Sequence, residues 1–362
     1  MCNLPDVFAQ KQQVERVDPA QQAALHVAVR PDWLALEPET AVDPDQPIID
    51  PHHHLWQGSR GRYMYDECLE DVTASHNIVA TVFVECRSMW RGFGPDELRP
   101  AGETEFAAGV AAVAESGDFG TCRIAAGIIG YADLRMAPEK VDRLLQLHLE
   151  RGGGRFRGIR QSAVWHPDPA FRTTSILPPP GLLSDQAFRS GFARLGEFGV
   201  SFDAWVYHTQ LAEFAELARA YPEVVLVLDH LGGIIGAGAN AGMRDEVFSE
   251  WRKGLASLAE MPNVRLKLGG LGMRIGFGRY HLGERPPTSL QLAQDWRPWI
   301  ETAIELMGVD RCMFESNFPV DKGSYSYSVC WNAFQRIASG ASVNERRALF
   351  HDTAVETYRL VL

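Results

Sequence analysis

Short apolar runs alternate with longer amphipathic segments along most of the chain. The runs are IID (48–50), ATVFVEC (80–86), CRIAAGII (122–129), RFRGIR (155–160), VSFDAWV (200–206), VVLVLDH (224–230), VRLKLGG (264–270) and RCMFES (311–316). Short apolar stretches of this kind read as strands buried on both faces. Between them, PEKVDRLLQLHLERGGG (138–154), SDQAFRSGFARLGEFG (184–199) and QLAEFAELARAYP (210–222) repeat apolar residues three and four apart and stop at Gly or Pro, which predicts helices with one buried stripe. Strands that alternate with helices call for a parallel sheet, because the helix carries the chain back to the same edge. Eight such units predict an α/β protein, a closed (β/α)8 TIM barrel. An open doubly wound sheet competes, but no GxGxxG follows the first strand, and GGLGMRIGFG (269–278) comes only after the seventh. Residues 1–46 are polar and punctuated by proline, so they read as an N-terminal extension. Residues 47–362 form the barrel, with the helices from Tyr327 to Leu362 closing it.

Composition narrows the class. With 362 residues, 46% hydrophobic and 22% charged, the chain is neither a structureless tail nor a small disulfide-stapled module. The balance of 35 Lys+Arg against 46 Asp+Glu gives a net charge of -11 without a basic block, which argues against nucleic acid and anionic membranes as partners. The chain contains no run of 18 uncharged apolar residues, and its first twenty lack the basic start and apolar core of a signal peptide. Six scattered cysteines without a CxxC pair suit reduced thiols. A cytoplasmic protein is the expectation.

In such a barrel the chemistry sits at the carboxyl ends of the strands. The first strand ends Asp50-Pro51-His52-His53-His54. Alternation along extended backbone puts His52 and His54 on one face and His53 on the other, so two imidazoles can converge on one divalent cation. The strand-four end offers Arg160, whose planar fork can hold two oxygens. Single histidines follow later strands, His208 after Tyr207 and His230 in LDHLGG.

IIDPHHHLW resembles the DxHxH opening of the amidohydrolase superfamily, in particular its family-2 branch of lactonases, related hydrolases and decarboxylases. The resemblance runs from about Ile48 to Leu360. It continues through Tyr207-His208, LDHLGG and MFESNFPVD. It implies that His52, His54 and His208 are ligands of one Zn2+ or Mn2+, and that His230 orients or deprotonates the attacking water. A cation there would lower the pKa of bound water and polarise a carbonyl. Two-metal members carry a carboxylated lysine on strand four; this chain has Arg160 there, which disfavours a binuclear site.

The clearest departure from the family pattern is at strand eight, where a G-S-D-[FW]-P segment is replaced by Glu315-Ser316-Asn317-Phe318-Pro319. An amide takes no proton from water at neutral pH, so Asn317 belongs to the catalytic position without serving as its base. Glu315, two residues earlier on the same face, is the first replacement carboxylate. Glu85 at the end of strand two is a second, also counted as a metal ligand, and Asp321 a third. Without a metal, His52 and His54 would meet substrate oxygens directly, with Arg160, Tyr207 and Lys267 completing an oxyanion and carboxylate pocket. The long loop after strand two, with Trp90 and Arg91, and GRYHLGERPPTS (278–289) after strand seven read as covers for the mouth. Trp56 and Trp165 are expected near the ligand.

The expected activity is hydrolysis of a lactone or similar cyclic ester, with a small anionic or cyclic ester substrate. Non-oxidative decarboxylation of an aromatic or unsaturated acid is the alternative reaction, and a non-catalytic metabolite-binding barrel the alternative class. A homodimer through peripheral helices is expected as well.

Overall fold

The computed structural model describes residues 25–362. Eight parallel strands follow one another around a (β/α)8 TIM barrel in sequence order. They are β1 (Pro47–His53), β2 (Asn77–Val84), β3 (Arg123–Gly130), β4 (Phe156–Arg160), β5 (Ser201–Ala204), β6 (Leu226–Leu228), β7 (Val264–Leu268) and β8 (Cys312–Phe314). Each lies within or overlaps one of the eight apolar runs. One main helix follows each strand: α1 (Tyr65–Val72), α2 (Ala101–Glu115), α3 (Pro138–Arg151), α4 (Gln186–Phe198), α5 (Leu211–Ala220), α6 (Arg244–Ala259), α7 (Ser289–Met307) and α8 (Tyr327–Ile337). Their starts are written in the sequence: the Asp185 carboxylate accepts from Phe188 N at 2.8 Å, and Thr288 with Gln291 forms a capping box. Gly199 ends α4 in the left-handed region at φ 62°.

Alternation along the strands sorts the core into two bodies. Outward residues such as Ile48, Phe83, Ile128 and Phe202 pack under the helices. Inward residues such as Ile49, Val82, Ile129 and Met313 fill the barrel together with Tyr358 and Leu360. The last helical turn therefore plugs the barrel from below. Above this apolar plug the interior turns charged, with Asp203 from β5 and Lys267 from β7 fully buried.

The seam between β8 and β1 is closed by backbone and side chains together: His54 N donates to Phe318 O at 2.8 Å and Asn317 N to His52 O at 3.1 Å. A single bridge joins His53 to Phe318. Asp50 adds side-chain bonds, accepting from Ser316 N (3.0 Å), Ser316 Oγ (2.5 Å) and Tyr327 Oη (2.9 Å). Pro51 lacks a donor and falls where the β1 register shifts. Among the described residues no helix is long and apolar enough to cross a membrane. Cys68, Cys86, Cys122, Cys312 and Cys330 are free and buried, and Cys2 lies outside the described residues.

Candidate active site

The carboxyl ends of the strands open into a cavity of about 1070 Å3. His54, Glu85, Arg160, His230 and Asn317 reach it. His52 lies just beneath, its Nε2 3.3 Å from His54 Nε2. His53 points the other way and meets Thr81 Oγ1 at 2.8 Å, as strand alternation requires.

One hydrogen bond fixes the tautomer of His54. His54 Nδ1 donates to Val84 O at 2.8 Å, leaving Nε2 with its lone pair. His52 Nδ1 lies between Glu315 Oε2 at 2.9 Å and Lys267 Nζ at 3.1 Å, and its Nε2 lies 3.2 Å from Arg160 Nη1. Burial, reinforced by Lys267 for His52 and by Arg160 for His54, lowers both imidazoles below their ordinary value, keeping them neutral.

Glu315 sits behind two histidines. Its Oε1 accepts from His230 Nδ1 at 2.7 Å and from His230 N at 3.0 Å. Burial alone would raise this carboxyl, but His230 and His52 hold it down at about 2. His230 itself is in the left-handed region at φ 55°, a conformation that costs roughly 1–2 kcal/mol for a residue with a side chain. Two glycines make room for the pair. A Cβ on Gly269 would come 2.4 Å from Glu315 Cγ, and one on Gly270 would come 2.4 Å from His230 Cβ.

Beneath the histidines, Lys267 Nζ lies 2.6 Å from Asp203 Oδ2 and 3.1 Å from Asp229 Oδ1. Tyr358 Oη donates to Asp203 Oδ2 at 2.7 Å. Burial raises Asp203 to about 6 against the pull of Lys267. Asp229 goes the other way: its burial is outweighed by Lys267 and His52, and it is driven well below the usual carboxylate range. Among the described residues, neither of its oxygens accepts a hydrogen bond.

A divalent cation fits this donor set. Two imidazole nitrogens bound tetrahedrally at about 2.0–2.1 Å lie roughly 3.3–3.4 Å apart, the separation found between His52 and His54. The buried layer also holds four carboxylates (Glu85, Asp203, Asp229, Glu315) against two cationic side chains (Arg160, Lys267), a negative surplus that a dication relieves. His52, Asp229 and His230 bring ligand atoms within 4.8 Å of one another. The Arg160 Nη1 hydrogen bond to His52 competes for the same lone pair.

Several sequence expectations are corrected. His208 does not join the cluster: its Nδ1 accepts from Ile235 N at 3.3 Å and its Nε2 faces Glu250 at 3.9 Å, because β5 ends at Ala204 and residue 208 already opens a helical turn. Tyr207 is turned away to bond Thr173 Oγ1 (2.9 Å) and the Phe171 carbonyl. Lys267 is locked in the charged layer below the cavity and does not line it. Glu85 reaches the cavity but is held by Arg160 Nε at 2.9 Å, not by the histidines. Arg160 also donates through Nη2 to the Glu85 carbonyl, so only Nη1 remains of its fork. Asn317 lines the cavity at φ 55°, with its amide donating to Asp321 Oδ1 at 3.1 Å. Asp321 is itself tied to Tyr325 Oη and Gly272 N. Of the two loops, the one after β2 supplies Trp90 to the cavity wall, while residues 278–289 stay outside it. Trp56 lines the cavity and Trp165 does not. The sequence reading passed over Asp203 and Asp229; the Asp beside His230 in LDHLGG was the available signal.

A family model described as amidohydrolase matches residues 49–360. A protein of Sinorhizobium fredii, uncharacterized protein y4mH, is 37% identical over 87% of this chain and 99% of its own. L-fucono-1,5-lactonase of Burkholderia ambifaria is 23% identical over 78% of this chain and 86% of its own. A crystal structure of an amidohydrolase from Burkholderia multivorans with bound zinc superposes with a TM-score of 0.65 at 26% identity, covering 87% of this chain and 99% of that one.

Proposed function

The chain belongs to the amidohydrolase family, and on that premise we propose that it opens a lactone or related cyclic ester by attack of water on the carbonyl carbon. The observation that carries this reading is the Glu315–His230 pair at the cavity floor. Because His230 Nδ1 donates to Glu315, the other ring nitrogen keeps its lone pair and can take the proton of an attacking water. Glu315 then stabilises the imidazolium that forms, without touching substrate itself. The new bond joins water oxygen to the carbonyl carbon and the ring C–O bond breaks. His230 returns its proton to the departing alkoxide, and the product is a hydroxy acid.

Arg160 Nη1, which meets His52 Nε2 at 3.2 Å, is a cationic donor at the histidines suited to the oxyanion that develops on the carbonyl oxygen. The residues that would hold a divalent cation are His52 and His54, with Asp229 nearby. When bound, such a cation supplies Lewis-acid polarisation of the carbonyl and a more acidic water. The lactonase of Burkholderia ambifaria, a distant relative, supports the same reaction class. A second reading keeps the reaction and dispenses with the cation: the Arg160–His52 hydrogen bond favours direct contact of substrate oxygens with Arg160 and the two histidines.

The test is a panel of sugar and aromatic lactones followed by acid release. Turnover of one or more lactones with stoichiometric acid supports the proposal. Silence across the panel, or CO2 release from aromatic acids in its place, overturns it.

A further inference from the structure

The segment ahead of the family match reaches the same cavity. Arg274 Nε donates to Leu25 O at 3.2 Å. Gly323 lets the segment lie against the loop after β8, since a Cβ there would come within 2.5 Å of Val27 O. Farther along, Arg30 Nη2 donates to His281 O at 2.7 Å and Trp33 Nε1 to Gly283 O at 3.1 Å. So pinned, Leu25, His26 and Val27 form part of the cavity wall.

His26 is placed to contact a ligand. Its ring stacks on Trp56 with centroids 5.6 Å apart and planes 16° from parallel, and Trp56 stacks in turn on His54 at 5.8 Å. Arg60 lies 4.2 Å from the Trp56 ring. Among the described residues no hydrogen bond engages the His26 ring, and neither Arg60 nor Arg274 has a carboxylate partner. Arg60 donates to Cys86 O at 3.1 Å, and Arg274 donates only to backbone carbonyls, those of Leu25, Ala170 and Arg172. Burial, with the charges of Arg60 and Arg274 behind it, pushes His26 down to about 3, so it faces the cavity as a neutral ring whose N–H can donate.

Arg160 cannot clamp a carboxylate with its fork, because Glu85 has taken two of its three nitrogens. Arg60 commits only Nη2, to the Cys86 carbonyl, and has no carboxylate partner among the described residues, so it offers what Arg160 does not. We infer that His26 and Arg60, with the positive charge of Arg274 behind them, form a carboxylate-binding subsite beside Trp56, and that the substrate is a ring bearing a carboxylate remote from the ester bond that is cut. The assignment rests on reading the cavity as the substrate site. It makes His26, a residue outside the family match, specificity-determining.

The experiment titrates benzoate into the whole chain by calorimetry, with benzamide as the uncharged control, and needs no turnover. Benzoate should bind more tightly than benzamide by about ten-fold, as expected for charge-assisted hydrogen bonds. His26→Ala and Arg60→Gln should each weaken benzoate by several-fold and leave benzamide unchanged, with Arg60→Lys recovering part of the loss. Equal binding of the two probes, no benzoate binding, or unchanged benzoate binding in both His26→Ala and Arg60→Gln overturns the subsite. Because binding is read directly, failure of lactone hydrolysis alone would leave the subsite result standing.

Discussion

Glu315 Oε1 lies 2.7 Å from His230 Nδ1 and accepts the His230 backbone N–H as well. One carboxylate oxygen thus sets both the ring tautomer and the backbone turn of the residue that faces the cavity. Glu315→Gln keeps the volume but presents an amide to the same ring. It should lower kcat on the order of 10^3-fold with little change in KM. Steady-state kinetics on a turned-over lactone checks this; near-normal kcat would remove Glu315 from the mechanism.

Gly270 tests the placement of His230 from the other side. Gly270→Ala would put a methyl 2.4 Å from His230 Cβ at φ 70°. Gly181 is a matched control, since its φ is 69° and nothing stands within 4 Å of a Cβ there. Both alanines bear the left-handed backbone penalty, but only Gly270→Ala should add an overpacking cost of about 1–3 kcal/mol and lose at least about ten-fold in kcat through a displaced imidazole. Paired denaturant melts and kinetics separate the two effects.

The converging imidazoles predict a bound divalent cation. Elemental analysis of the whole protein should find zinc or manganese, and His54→Ala should lose it while remaining folded. A chelator should abolish lactone hydrolysis and added Zn2+ should restore it. Full activity in metal-free protein would favour direct contact of substrate with Arg160, His52 and His54.

Asp50 gives a pH-dependent prediction. Burial raises its carboxyl to about 6 although Ser316, Tyr327 and the His52 N–H all favour the ionised form. A folded-state pKa above the unfolded value of 3.8 means that the native state holds the proton more tightly, so its contribution to stability falls as pH rises from about 4 to 6. Asp50→Asn does not titrate. The stability advantage of the natural protein over Asp50→Asn should therefore shrink between pH 4 and pH 7, by up to about 3 kcal/mol. A gap that is constant or widens with pH would contradict the raised pKa.

The barrel was legible because buried parallel strands leave continuous apolar runs, and all eight were marked in this way. The pairing of His52 with His54 followed from strand alternation, which also sent His53 outward. Alternation reports a face, however, and not a depth. Lys267 was expected in the substrate pocket, but nothing in VRLKLGG tells that its ammonium stops in the layer of Asp203 and Asp229, below the cavity. His208 lay beyond the end of its strand, where a period of two no longer aims side chains. The position of Glu315 behind His230 depends on a contact across 85 residues of chain. Gly269 and Gly270 were visible as residues, but which side chains they admit is a property of packing alone.

Tyr358 reaches Asp203 across 155 residues of sequence, and Ser316 reaches Asp50 across 266. The electrostatics of the site are thus set by parts of the chain that are synthesised far apart in time. A nascent chain lacking its last helical turn would expose the Asp203 layer to water from below. Catalytic competence should then appear in one step, late in folding, and chain extensions fused just after Leu362 should be felt at the histidines through Tyr358.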